Sequence, residues 1–254
     1  MNTLTICRKE LLSYFRSPIA YGVMAFFALI SGYFFYVAVV YFMQISLQSQ
    51  MSGQSQPMSV NEMVIRPLFS NIAVIGLFII PMITMRLFAE EKRTGTYELL
   101  ATSPIRDWEI IMGKWLAALI LYASILAISL ISVLTLFGYG KPDWRPLMVG
   151  YLGLLLQGGC LLAIGTFIST CTKNQIVAGM VTFAVLLLLW TVSWMQESAG
   201  PIGQKVLQAL SLTDRFDDFT KGVIDLKHVV YYLSFISFGL FLTAKSVDSE
   251  RWRG

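Results

Sequence analysis

Six long apolar runs, residues 19–43, 67–85, 115–137, 147–168, 177–194 and 228–244, contain no Asp, Glu, Lys or Arg. A helix needs about 20 predominantly apolar residues to cross the hydrocarbon core of a bilayer. Within that core every backbone polar group must find its partner inside the segment, which selects helices for runs of this kind. The runs therefore predict an all-α integral membrane protein of about six transmembrane helices, folded as a single domain over residues 1–254 with no internal repeat. Composition agrees: 13% of residues are charged, against the roughly 25% usual for soluble domains.

The first run is too long for the apolar core of a secretory signal, about 7 to 15 residues, and no small-residue cleavage site closes it. It reads as an uncleaved span whose far end, rich in Tyr33, Phe34, Phe35, Tyr36, Tyr41 and Phe42, suits an interfacial belt. Residues 44–66 turn polar and read as a flexible connection. The fourth run carries Gly150, Gly153, Gly158, Gly159, Ala163 and Gly165. Small residues allow close approach of helix backbones, which puts this span in the centre of the bundle or at a subunit contact.

Residues 196–227 form the longest link. Helical spacing over 202–212 and 214–224 predicts two short outer re-entrant helices, because Val206, Leu207, Leu210, Phe216, Phe219 and Val223 need cover; a small extramembrane cap is the alternative. Placing the amino terminus in the cytosol puts Arg8, Lys9, Arg16, Lys173 and the tail cations Lys245, Arg251 and Arg253 inside. Arg66, Lys141, Arg145 and the four cations of the 196–227 link then lie outside, those of the link matched by Glu197, Asp214, Asp217, Asp218 and Asp225, while the five Lys and Arg of 86–114 add to the inner side. Positive charge favours the inner side, so both termini are expected to be cytosolic.

Residues 1–18 predict an amphipathic helix lying in the membrane interface. Leu4, Cys7, Leu11, Tyr14 and Phe15 gather on one side, and Lys9, Ser13 and Arg16 lie opposite. The densest charge in the chain falls between the second and third runs, at 86–114, with Arg86, Glu90, Glu91, Lys92, Arg93, Glu98, Arg106, Asp107, Glu109 and Lys114. Gly95 interrupts the helical pattern, 96–102 places Leu99 and Leu100 away from Glu98, and Ser103-Pro104 reads as a break before a new helix start. That pattern fits a short helix protruding from the bilayer and held at both ends; an ordinary solvated loop is the other reading.

Several chemistries lack their residues. Cys7, Cys160 and Cys171 have no paired spacing and His228 is the sole histidine, so neither a zinc site nor a disulfide framework follows, and no metal or cofactor is expected in this chain. His228 reads as an interfacial side chain. No G-x-x-x-x-G-K-[ST] phosphate loop and no G-x-S-x-G elbow occurs. Basic residues do not cluster with aromatics, which argues against nucleic acid as a partner. Runs free of Asp, Glu, Lys and Arg argue against a gradient-coupled carrier, which normally holds a coupling charge in the membrane. A membrane pathway without an energy source asks for an external motor.

The run Phe88-Ala89-Glu90-Glu91-Lys92-Arg93-Thr94-Gly95-Thr96-Tyr97-Glu98-Leu99-Leu100, followed by Ser103-Pro104 and Gly113-Lys114, resembles the type-2 ATP-binding cassette (ABC) permease family, in its gliding-motility-type branch of bacterial export permeases. The early Arg8-Lys9-Glu10-Leu11 and Phe15-Arg16-Ser17-Pro18 support it, as do six spans over essentially the whole length. The E-x-x-x-G-T-x-E-x-L pattern is its most specific element. The resemblance implies a permease subunit, not itself an enzyme, in the bacterial cytoplasmic membrane. It would pair with a second copy or a paralogue and with separate ABC ATPase subunits that hold ATP and Mg; an accessory subunit with an extracytoplasmic domain and membrane lipid are further implied partners. The coupling helix to the ATPase would be built from Glu90, Glu91, Arg93, Gly95, Thr96, Glu98, Leu99, Leu100 and Pro104. Lys9, Tyr14 and Arg16 would belong to the flanking interface helix. A membrane scaffold recruiting a cytosolic partner and a gradient-driven channel or carrier remain the competing functions.

Overall fold

The structure, a computed structural model, describes residues 2–52, 59–96, 105–139, 142–195, 200, 203–204, 207–208 and 211–251. Helix α1 (Asn2–Arg16) precedes α2 (Pro18–Ser52). A π-turn at Asn61–Ile65 leads into α3 (Arg66–Thr84), then α4 (Ala89–Thr94) and α5 (Asp107–Tyr139). The chain continues through α6 (Trp144–Thr170), α7 (Gln175–Met195), α8 (Thr213–Thr220) and α9 (Leu226–Arg251). No strand occurs among the described residues, and six helices are long and apolar enough to cross a membrane. The all-α membrane class is borne out.

Most helices overrun the apolar runs that announce them. Residues 44–52, read as flexible connection, instead prolong α2, because Gln, Ser, Leu and Met sustain a helix and no Gly or Pro intervenes before Gly53. Helix α5 starts at Asp107, well before the apolar run, and so draws Lys114 into its second turn. Helix α9 runs on through the polar tail to Arg251.

Helix α6 is the axis of the bundle and touches α3, α5, α7, α8 and α9. Its glycines explain why. A Cβ on Gly150 would overlap the Phe69 ring, one on Gly158 the Tyr122 ring, and one on Gly165 the Thr84 side chain. At Gly153 it would come within 2.6 Å of the Phe219 Cβ. Each absent side chain is thus the seat of a partner, which is how small residues substitute for the missing hydrophobic effect between helices in lipid. Trp115 on α5 donates its indole N–H to the Gly159 carbonyl at 3.2 Å, and the Cys160 thiol reaches the Tyr232 carbonyl on α9 at 3.3 Å. Helices α2 and α7 sit at the margin and expose large apolar side chains along their length, among them Leu29, Tyr36, Leu188 and Trp194.

Of the two helices expected in the 196–227 link, the second is α8, shorter than 214–224 because Gly222 turns left-handed at φ 82° just after it. Phe216 and Phe219 are buried as expected, whereas Val223 is exposed. Val206 and Leu210 lie outside the described residues.

Candidate functional site

At one end of the bundle a buried ammonium joins three helices. Lys114 is only 1% exposed, and its Nζ lies 3.0 Å from Glu10 Oε1 on α1, 2.9 Å from Glu91 Oε1 on α4 and 2.7 Å from the carbonyl of Leu87. Three acceptors match the three protons of an ammonium, and the Phe88 ring lies 5.2 Å away on a further side. A charge this buried is tolerable only when it is paired and fully hydrogen-bonded. The cluster therefore makes α1, α4 and α5 one mechanical unit.

Helix α4 is fastened at its other flank by the end of α6. The Ser169 hydroxyl accepts from the backbone N–H groups of Phe88 at 3.1 Å and Ala89 at 3.2 Å, filling orphan donors at the helix start. Lys92 is buried and donates to the carbonyl of Thr170. Arg86 grips Glu90 with two bonds, at 2.9 and 3.3 Å, and this hydrogen-bonded guanidinium holds the Glu90 carboxyl below the usual glutamate range. Acidic residues begin α4 and basic residues end it, in the sense that the helix dipole favours. Gly95 then closes the helix at φ 74°, a left-handed turn that suits glycine. Ser169→Ala is expected to cost about 1 kcal/mol, the usual worth of a lost cap, as a lowered unfolding midpoint in detergent.

Helix α1 is held by packing as well as charge. Gly113 on α5 is the crossing point: a Cβ there would stand 2.9 Å from both Ile6 Cβ and the Thr3 carbonyl oxygen. The Tyr14 hydroxyl donates to the Ile83 carbonyl at 3.2 Å, and burial pushes its phenol far above the ordinary value, so it remains a donor. Of the apolar side predicted for this helix, Cys7 and Tyr14 turn inward with Ile6, while Leu4 and Phe15 stay exposed.

Sequence-predicted residues thus converge in part. Lys9, Tyr14, Glu90 and Glu91 meet at this end, with Lys9 Nζ 3.8 Å from Glu91 Oε1. Arg16 is exposed at the end of α1, and Arg93, Gly95 and Thr96 are exposed where α4 stops. Glu98, Leu99, Leu100 and Pro104 lie outside the described residues. The helix seen here precedes Gly95, and its buried Ala89 and Lys92 seat it against the bundle rather than on a free loop. Sequence reasoning missed the parts played by Glu10, Ser169 and Lys114. A signal existed for Lys114: it stands between Ile111 and Trp115 on a helical face that is otherwise apolar.

The opposite end is pinned by α8. Arg66 binds both carboxylate oxygens of Asp217 at 2.7 and 3.0 Å, Lys221 reaches Asp217 at 2.8 Å, and His228 pairs with Asp218 at 3.0 Å. Burial opposes ionisation of Asp217, yet the hydrogen bonds from Lys221 and Arg66 prevail and hold its carboxyl below the ordinary range. Arg215 stacks 3.5 Å over the Tyr231 ring, and the Tyr232 hydroxyl donates to the Leu212 carbonyl at 2.8 Å.

With this geometry in view, the family can be read from the whole chain: the family described as "ABC-2 family transporter protein" matches residues 4–243. The chain belongs to the ABC-2 transporter family. It is similar to the "Probable multidrug ABC transporter permease YbhR" of Escherichia coli strain K12, 26% identical over 162 residues, which cover 63% of this chain and 43% of that one. The protein of the same name from Escherichia coli O157:H7 matches with the same figures. The chain spans less than half the length of these curated relatives. As a member of this family with six helices long and apolar enough to cross a membrane, it is a multi-pass membrane protein.

Proposed function

We propose that this permease is the membrane half of an exporter in the bacterial cytoplasmic membrane, with both termini cytosolic. A separate ABC ATPase, which holds ATP and Mg, docks on α4 and the segment that follows it. The observation that carries this reading is the mounting of α4. Ser169, Thr170 and Lys114 tie it to α6, α5 and α1 at once, so a push on its free end reaches the central helix rather than bending a loop. Glu90 and Glu91 serve that mounting from inside. Arg93, Gly95 and Thr96 face outward and, with Glu98, Leu99, Leu100 and Pro104, offer the contact surface. Apolar anchors supply most of the energy of such contacts and rim charges their register, which assigns Leu99 and Leu100 the first role and Arg93 and Glu98 the second.

Helices α2 and α7, apolar and marginal in the protomer, suit packing against a second copy or a paralogue. The pathway between them would be free of ionisable side chains over most of its length. That character, with the similarity to a probable multidrug permease, favours an apolar or amphiphilic cargo.

The test uses the permease reconstituted with the ABC ATPase that co-purifies with it. Glu98→Ala together with Leu99→Ala is expected to leave insertion and unfolding unchanged while cutting transport about tenfold or more per ATP hydrolysed, the loss of one buried anchor being worth at least 1.4 kcal/mol. Unchanged coupling would overturn the docking assignment.

A further inference from the structure

Beside the Lys114 cluster, on the outer side of α1, lies an open groove of about 550 Å³ lined by Lys9, Leu12, Ser13, Arg16, Ser17 and Arg86. Its size falls within the roughly 300 to 1,000 Å³ of small-molecule sites. Ser17 and Arg86 also line a second, narrow pocket of about 30 Å³ whose other walls include Ala20, Val23, Met82 and Leu121. Cations and hydroxyls thus open directly onto an apolar slot at the elbow where α1 gives way to the first span.

We propose that this groove binds the phosphate of an anionic phospholipid headgroup, with the glycerol edge at the mouth of the slot and the acyl chains lying along α2. The charge balance supports an anion. Around the groove and its buried neighbour, the cations Lys9, Arg16, Arg86 and Lys114 face the acids Glu10, Glu90 and Glu91, four against three. Lys114 bonds one oxygen each of Glu10 and Glu91, a triad left with one negative charge that Lys9 balances, and Glu90 takes two of the five donors of Arg86, so the surplus positive charge falls on Arg16. Lys9 is left 67% exposed with a loose 3.8 Å contact, and Arg16 makes no ion pair among the described residues. The Ser17 Oγ accepts from the Ile19 N–H at 3.4 Å, which leaves its own proton to donate.

The surroundings choose a lipid over a soluble phosphate. Leu12, Phe15 and Ile19, all exposed, flank the cations, and a small anion would leave that apolar rim in water. The slot has room for about one water-sized group, so it seats the glycerol edge and not a whole chain; the chains find cover on the exposed apolar face of α2. This site requires only that the permease sit in a bilayer. It stands or falls separately from the ATPase docking.

The full-length permease, purified in a mild detergent, is mixed with phosphatidylglycerol or phosphatidylcholine, and retained lipid is counted by native mass spectrometry. Phosphatidylglycerol is expected to be retained in preference. Lys9→Gln/Arg16→Gln should lower its retention roughly tenfold, since each cation near an anionic headgroup contributes several-fold. Both side chains are exposed, so the lipid-free unfolding midpoint should hold, and Arg16→Lys in place of Arg16→Gln should restore most of the binding. Arg8→Gln, an exposed cation on the same helix outside the groove, should change nothing. Equal retention of the two lipids, or an equal loss in Arg8→Gln, would overturn the site. Complete displacement of phosphatidylglycerol by millimolar inorganic phosphate would assign it to a free anion instead.

Discussion

Lys114→Met should release α1 from the bundle and cost about 3 kcal/mol of stability. Removing one partner of a buried ion pair typically costs about 3 to 5 kcal/mol, because the charge left behind has no counterion. The low end applies here, since the Glu10 and Glu91 side chains keep 15% of their exposure and can recruit water. The carbonyl of Leu87 loses its donor in the same step. Cys7 reports the outcome locally. It lies on the buried face of α1, whereas Cys171 is exposed, so in a Cys171→Ser background a maleimide should react slowly with the parent and several-fold faster with the Lys114 variant. Adding Glu10→Gln and Glu91→Gln to Lys114→Met removes the stranded charges and should recover much of the unfolding midpoint. A variant in which Cys7 stays protected and the midpoint holds would show that packing at Gly113 alone retains α1.

The larger effect is expected at the glycines of α6. Gly158→Val must displace the Tyr122 ring, and Gly165→Val the Thr84 side chain beside the last turn of α3. Overpacking a tight core costs about 1 to 3 kcal/mol and sometimes more. At an axis helix that touches five others, the upper end is the expectation for each, and the two together should prevent accumulation of folded protein. Gly22 and Gly32 on α2 make the contrast, because a Cβ at either meets no atom of the protomer within 4 Å. Alanine there should leave the unfolding midpoint unchanged or raise it by up to about 1 kcal/mol per site through helix propensity. Gel-filtration fluorescence of the detergent extract separates the two classes. If Gly22→Ala or Gly32→Ala left the monomer stable but dissociated a larger species, α2 would be identified as the subunit contact.

Much of this architecture was legible in the chain. The apolar runs located every span, since a segment that cannot hydrogen-bond with lipid must satisfy its own backbone as a helix. The ends of those spans were less legible, because helix propensity carries α2 to Ser52 and α9 to Arg251 past the point where hydropathy falls. The glycine-rich fourth run signalled close packing but did not say against what.

The candidate site divides in the same way. Charge density singled out 86–114, and Gly95 supplied the helix stop that the backbone uses. Which of those charges turn inward was decided by contacts across 104 and 81 positions of chain, Glu10 with Lys114 and Ser169 with Phe88, and local pattern carries no information on such meetings. Membrane residence, helix count and the general position of the charged segment follow from the residue order alone, because solvation energy is additive along a chain. Partner choice at Lys114, the seating of aromatic rings in the α6 glycines and the basic groove beside α1 were decided only in three dimensions, where one side chain's cost depends on what the rest of the fold brings within reach.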